Sequence, residues 1–90
     1  AACAEDYNLT IKDHQFIPKE LTIPADKKIK LTIINQDSTA AEFESFELHR
    51  EKVINGNSTA TVLIGPLDAG SYPFFDEFHK DTTQGLLIVK

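Results

Sequence analysis

Apolar and polar residues alternate along most of the chain, which is the pattern of strands that bury one face. The alternation is clear at Tyr7, Leu9 and Ile11, and again in residues 29–33. Valine, isoleucine, threonine and aromatic residues are frequent in these runs, and they suit a pleated sheet better than a helix. No stretch keeps a helical period for long, so the pattern predicts an all-β protein.

Turn-forming residues separate the runs at short intervals, for example at residues 35–38, at Asn55 and Gly56, and at residues 68–70. The following strands are predicted: residues 6–12, 15–23, 28–35, 41–47, 52–54, 59–64, 70–76 and 85–90. The dense charge run over residues 47–52 indicates a solvated loop or a short helical turn. Short strands with frequent turns are typical of a β-sandwich or a barrel.

The length of 90 residues, with 41% hydrophobic and 26% charged residues, indicates one compact domain. We expect a disordered N-terminal segment over residues 1–5 and the domain over residues 6–90. The apolar runs are far shorter than the roughly 20 residues that cross a bilayer, so no transmembrane segment is expected. A formal charge of −5 repels polyanions, which argues against nucleic acid as a partner.

Cys3 is the only cysteine, so an internal disulfide and a multi-cysteine zinc cluster are excluded. The small residues Ala1 and Ala2 before it are compatible with the remnant of a secretory signal, or of a lipoprotein signal in which Cys3 carries lipid. A free thiol at the terminus is the alternative. Export predicts a periplasmic or other extracytoplasmic location.

Residues 70–79 read Gly-Ser-Tyr-Pro-Phe-Phe-Asp-Glu-Phe-His, and residues 84–90 read Gln-Gly-Leu-Leu-Ile-Val-Lys. This last third of the chain resembles the end of a cupredoxin. The family pattern is Gly-x-Tyr-x-Phe-x-Cys-x-x-His followed by a methionine and Gly-x-Leu-x-Val. Residues 16–25 and 31–38 are similar to earlier segments of the same family. The resemblance implies a Greek-key β-sandwich of about seven to eight strands.

The resemblance also places the four copper ligands of the family on this sequence. The first histidine falls on Ala41, the thiolate on Asp76, the second histidine on His79 and the methionine on or near Thr83. A blue-copper centre needs two imidazoles, a thiolate and a weak axial thioether, and the chain contains no methionine. An ordinary blue-copper centre is therefore predicted to be absent, and the carboxylate of Asp76 favours iron, manganese or an oxygen-rich copper(II) site.

Several carboxylates are expected to gather near Asp76. Strand alternation places Glu42 and Glu44 on one face, close to Phe75 and Glu77. The predicted metal ligands, which share imidazole or carboxylate donors, are Asp76, His79, Glu44, Glu42 and Glu77, with His49, Glu47 and Glu51 as weaker candidates. Alternatively, Asp76 caps the turn before His79, and the glutamates pair with Arg50, Lys52 or Lys80.

Within the family, residues 42–45, 50–54 and 76–79 resemble cupredoxin-like proteins found with bacterial high-affinity iron uptake. That resemblance implies a periplasmic protein that binds copper and/or iron for metal uptake or electron transfer. Its implied partners are an inner-membrane iron permease, which would receive iron after delivery or ferrous oxidation, or a periplasmic redox protein.

A carrier fits the sequence better than an enzyme. A hydrolytic enzyme is disfavoured, because no nucleophile elbow, glycine-rich phosphate loop or HExxH motif is present, whereas weak metal oxidation is compatible with the predicted site. The alternative is a metal-free interaction module that docks through Phe46, Phe75 and Phe78.

Overall fold

The computed structural model describes residues 4–90. The described residues form nine strands and one short 3₁₀-helix: β1 (Glu5–Lys12), β2 (Gln15–Ile17), β3 (Glu20–Ile23), β4 (Ile29–Asn35), β5 (Ala41–Ser45), β6 (Arg50–Ile54), β7 (Ser58–Ile64), β8 (Gly70–Phe75), the 3₁₀-helix (Glu77–His79) and β9 (Gln84–Val89). In residues 4–90 there is no helix long and apolar enough to cross a membrane.

The strands form two sheets that pack face to face as a β-sandwich. The order in the first sheet is β2-β1-β4-β7, and the order in the second is β3-β9-β8-β5-β6. Strands β1 and β4 pair in parallel, as do β3 and β9, whereas the other neighbours are antiparallel. The predicted all-β sandwich is therefore confirmed, with nine strands in place of seven to eight.

The core lies between the sheets and receives every second side chain of the central strands. In β4 the residues Ile29, Leu31 and Ile33 are buried, as the alternation predicts. Phe74 of β8 contacts two more phenylalanines, with ring centroids 4.8 Å from Phe16 and 5.0 Å from Phe43. These rings hold β5 and β8 together at the end of the sandwich where Asp76 follows β8.

Three predicted boundaries were wrong. The predicted strand over 15–23 is two strands in different sheets, because Pro18 lacks an N–H donor and the chain changes sheet between Ile17 and Glu20. Strand β5 ends at Ser45 rather than 47, and β6 begins at Arg50 rather than 52. The charge run over residues 47–52 is therefore half turn and half strand, because β5 and β6 form a hairpin.

Strand β1 begins at Glu5, inside the segment predicted to be disordered. Its parallel pairing with β4 starts at the same residue, where Glu5 lies beside Ile29. The predictions for Cys3, including lipid attachment, lie outside the described residues.

Candidate metal-binding site

Asp76 is a fully buried carboxylate at the end of β8, with 0% of its surface exposed. Its Oδ1 atom accepts hydrogen bonds from the backbone N–H of Glu42, at 3.0 Å, and of Phe78, at 2.9 Å. Its Oδ2 atom lies 3.0 Å from Nδ1 of His79. Asp76 thus caps the 3₁₀-helix, which agrees with one of the two interpretations of this residue from the sequence. Its two oxygens connect β5, the helix and the imidazole of His79.

The positions that match the copper ligands of the family meet around Asp76. The backbone N–H of Asp76 donates to the carbonyl of Thr83 at 2.9 Å, and Ala41 precedes the hydrogen-bonded Glu42. Ala41 and Thr83 are both buried. Because Nδ1 of His79 faces Asp76, its Nε2 is the ring nitrogen left for another partner.

His14 lies over this group, which sequence reasoning did not foresee. Its ring stacks on that of His79 with centroids 3.9 Å apart and planes inclined by 22°. Nδ1 of His14 is 3.6 Å from Oδ2 of Asp37. Since the lone pair of an imidazole lies in the plane of its ring, two stacked rings point their nitrogens side by side rather than at one ion.

A second group of carboxylates lies on the outer face of the five-stranded sheet. Glu44 pairs with Glu51 across the β5–β6 hairpin, and Glu42 lies two residues before Glu44 on the same face. One carboxylate oxygen from each of Glu42, Glu44 and Glu51 lies within 4.8 Å of the others. We call these three residues the outer carboxylate cluster.

Glu42 is the unusual member of the outer carboxylate cluster. Only 5% of its surface is exposed, and its Oε1 atom is buried with no hydrogen-bond donor among residues 4–90. Burial raises the pKa of Glu42 to about 7, and the charges of Glu44, Glu51 and Glu77 add to the rise. Partial burial also raises the pKa of Glu44. The three carboxylates of the cluster therefore do not ionise together as readily as isolated ones.

The remaining predicted residues lie at the rim of the cluster. Glu77 is exposed and forms an ion pair with Lys80 at 3.2 Å, as the alternative interpretation proposed for one of the glutamates. Arg50 donates instead to the carbonyls of Leu63 and His49. In the described part of the chain, no lysine or arginine forms an ion pair with Glu42, Glu44 or Glu51.

A surface cavity of about 470 Å³ adjoins the outer carboxylate cluster. Its lining includes Glu44 and Glu51 together with His49. His49 is exposed and adopts a left-handed backbone conformation, with φ of 54°, in the turn between β5 and β6. The turn therefore brings an imidazole to the open side of the cluster, whereas Glu47 in the same turn is exposed and does not belong to the converging group.

The predicted docking phenylalanines are at least partly exposed. Phe46 is 67% exposed and Phe78 is 52% exposed, and the rings of Phe46 and Phe75 meet edge to face at 5.4 Å. Because Phe75 pairs with Glu44 across β5 and β8, the rings of Phe46 and Phe75 border the outer carboxylate cluster.

The sequence alone could not bring Glu51 next to Glu44, because the register of the hairpin was not known. Had residues 46–49 been interpreted as a turn, Ser45 would face Arg50 and Glu44 would face Glu51, as the structure shows. The predicted placement of Glu42 and Glu44 near Phe75 agrees with the structure. Whether Asp76, His79 and the glutamates ligate a metal stays a prediction.

The family model for the "Cupredoxin-like domain" matches residues 1–89. This chain belongs to that family. An uncharacterized protein of Rickettsia prowazekii (strain Madrid E), RP394, is 44% identical over 84 residues, which is 93% of this cupredoxin-like chain and 67% of the relative.

Solved structures agree with the cupredoxin fold. Auracyanin A, a "blue" copper protein from Chloroflexus aurantiacus, has a TM-score of 0.82 at 16% identity over 98% of this chain and 100% of its own. Amicyanin from Paracoccus versutus has a TM-score of 0.73 at 20% identity, covering 100% and 84%. The metal-binding domain of the Cu(I)-exporting P-type ATPase of Streptococcus pneumoniae D39 scores 0.79 at 11% identity, covering 94% and 84%. At these identities the similarity establishes the fold.

The family implies a blue-copper centre, but residues 4–90 do not supply its typical ligands. They contain neither cysteine nor methionine, and Ala41, Asp76 and Thr83 stand at three of the four ligand positions. Both oxygens of Asp76 are already engaged in hydrogen bonds. The described residues therefore do not fit a centre of trigonal thiolate type.

Proposed function

We propose that this cupredoxin-like protein binds copper and/or iron outside the cytoplasm, at the outer carboxylate cluster, and acts in metal uptake or electron transfer. The resemblance of residues 42–45, 50–54 and 76–79 to proteins found with high-affinity iron uptake supports this role. An inner-membrane iron permease or a periplasmic redox protein is the proposed partner. Export, with Cys3 as a site for lipid, would place the domain beside such a partner.

The buried carboxyl of Glu42 is the observation that carries the proposal. A buried polar atom without a hydrogen bond costs about 1–3 kcal/mol, and a buried charge without a counter-ion costs more. Oε1 of Glu42 lies in that position, and the nearby charged groups of the cluster are other carboxylates. A cation bound by the three carboxylates would give Glu42 a partner and would relieve the repulsion between them.

Asp76 and His79 would support this cluster from the inner side of the sheet. The N–H of Glu42 is held by Oδ1 of Asp76, so Asp76 fixes the backbone from which Glu42 extends. His79, with its free Nε2, stays a second proposed ligand position, separate from the outer carboxylate cluster. Glu77 and His49 lie at the rim of the cluster, where they would complete the coordination of a bound ion.

Calorimetric titration of the metal-free protein with copper(II), iron(II) and manganese(II) at neutral pH tests the proposal. Binding should be lost in Glu42→Gln and Glu44→Gln, which keep the side-chain volume and remove a charged ligand. Glu20→Gln is the matched control, because Glu20 is exposed on β3 at the opposite edge of the same sheet.

The outcome also locates the ion. If Asp76→Asn and His79→Ala lose metal binding while Glu42→Gln keeps it, the metal binds at Asp76 and His79 rather than at the outer carboxylate cluster. No heat with any of the ions in the wild-type protein would contradict the metal-binding function.

The exposed aromatic rings support a second function, that of a metal-free docking module. Phe46 exposes 67% of its surface and packs against the partly exposed Phe75, and contiguous exposed apolar surface marks interaction sites. Absence of metal binding in the titration above, together with loss of association with a partner in Phe46→Ser, would favour this function.

A further inference from the structure

The outer carboxylate cluster offers donors of a single chemical type. All three converging ligand atoms are carboxylate oxygens, and the nearest additional donors are the exposed Glu77 and His49. The chain has no methionine, and the described residues contain no thiolate donor. Soft ions such as copper(I) prefer sulfur ligands, whereas carboxylates bind hard ions.

Among residues 4–90 no lysine or arginine forms an ion pair with the cluster. When ionised, Glu42, Glu44 and Glu51 bring three negative charges within 4.8 Å of one another. Lys80 is occupied by Glu77, and Arg50 donates to two backbone carbonyls. Because Coulomb attraction grows with the charge of the cation, an ion of higher charge gains more from each of the three carboxylates.

The three glutamates of the cluster differ in how much of their surface is exposed to solvent. Glu51 is exposed, Glu44 is half-buried and Glu42 is buried. An ion held among them would face the adjoining cavity on one side, where water completes its coordination. Hard cations that take six or more oxygen ligands fit such an open, partly hydrated position.

From these observations, and resting on the function proposed above, we infer that the outer carboxylate cluster selects hard cations of high charge. It binds trivalent ions more tightly than divalent ions and does not retain copper(I). The ion it carries is therefore in its oxidised state.

Terbium(III) is a suitable probe, since it is trivalent, prefers oxygen ligands and undergoes no redox reaction under these conditions. Its luminescence is titrated with wild-type protein at mildly acidic pH, with manganese(II) as the divalent competitor. We expect terbium(III) to bind at least about tenfold more tightly than manganese(II), which corresponds to about 1.4 kcal/mol. Luminescence lifetimes in H₂O and D₂O should show several bound water molecules.

Binding of copper(I) is measured in the absence of oxygen by competition with a chromogenic copper(I) chelator. The wild-type protein should remove no copper(I) from the chelator. Both measurements are repeated on Glu42→Gln, which should lose terbium(III) binding, and on Glu20→Gln, which should keep it. Copper(I) held by the wild type and lost in Glu42→Gln would overturn the inference.

The two proposals fail in different ways. Manganese(II) binding that depends on Glu42 but is as tight as terbium(III) binding would overturn the selectivity and leave the proposed metal-binding function standing. Absence of both ions from the wild-type protein, or equal binding by Glu42→Gln, would overturn the cluster as a metal site.

Discussion

The buried carboxyl of Glu42 should make the stability of the metal-free protein fall as the pH rises. Its pKa is about 7 in the folded protein against an ordinary value of 4.5, chiefly because the side chain is buried. Between these two values the folded state binds more protons than the unfolded state. The free energy of unfolding therefore decreases as the pH rises through this window, and it is highest below it.

The size of the effect follows from the same two values. A pKa raised from 4.5 to about 7 corresponds to about 3 kcal/mol of lost stability once the group is fully ionised. Outward rotation of the side chain relieves part of that cost, so we expect a loss of about 1–3 kcal/mol between about pH 5 and pH 8. In a domain of this size each kcal/mol lowers the melting temperature by about 4–8 °C.

Glu42→Gln tests this reasoning because the amide resembles the protonated carboxyl and cannot ionise. In chelator-treated buffer, urea unfolding should give equal stability for the variant and the wild type at about pH 5, and a variant more stable by about 1–3 kcal/mol at about pH 8. Glu20→Gln should follow the wild type at both pH values. Parallel pH profiles for Glu42→Gln and the wild type would refute the reasoning, since other titrating groups contribute equally to both.

Substitutions of Asp76, Gly85 and Phe46, with matched controls, are compared by urea unfolding. Asp76→Ala should lose about 2–4 kcal/mol because two backbone N–H groups lose their acceptor, and Asp76→Asn should lose less; equal losses would show that the acceptor oxygen is unimportant. Gly85→Ala should lose about 1–3 kcal/mol, since its Cβ would clash with the Phe74 ring. Gly70→Ala, with its nearest contact at 3.7 Å, serves as the tolerated control. Phe46→Ser should change stability by no more than about 0.5 kcal/mol because the ring is 67% exposed; a larger loss would mean that the ring belongs to the core.

Local alternation was enough to predict most of the fold. The buried residues of β4 and the position of Asp76 beside the core both follow from a period of two residues. The division of residues 15–23 could not be predicted in this way, because the pattern shows which face is buried but not which sheet the strand joins. That choice depends on pairing with β1 and β9, which lie far away in sequence.

The candidate site, like the fold, could be predicted only in part from the sequence. Glu42 and Glu44 were placed on one face by alternation, but Glu51 joins them only through the register of the β5–β6 hairpin. The stacking of His14 on His79 joins residues from two ends of the chain, so no local pattern could indicate it. The burial of Glu42 is likewise a tertiary effect, since the 3₁₀-helix after Asp76 lies against β5.

A carboxylate at the thiolate position of the family links the inner and outer faces of the sheet. Glu44 and Phe75 are paired in the ladder between β5 and β8, and two residues earlier the N–H of Glu42 is bonded by the side chain of Asp76 instead of a backbone carbonyl. The carboxylate of Asp76 accepts from Glu42 and from Phe78 through Oδ1, and its Oδ2 faces Nδ1 of His79. Asp76 thus fixes the backbone beneath Glu42 and orients the imidazole of His79. On this argument Asp76→Asn, which keeps one acceptor oxygen, should weaken the cluster less than Asp76→Ala.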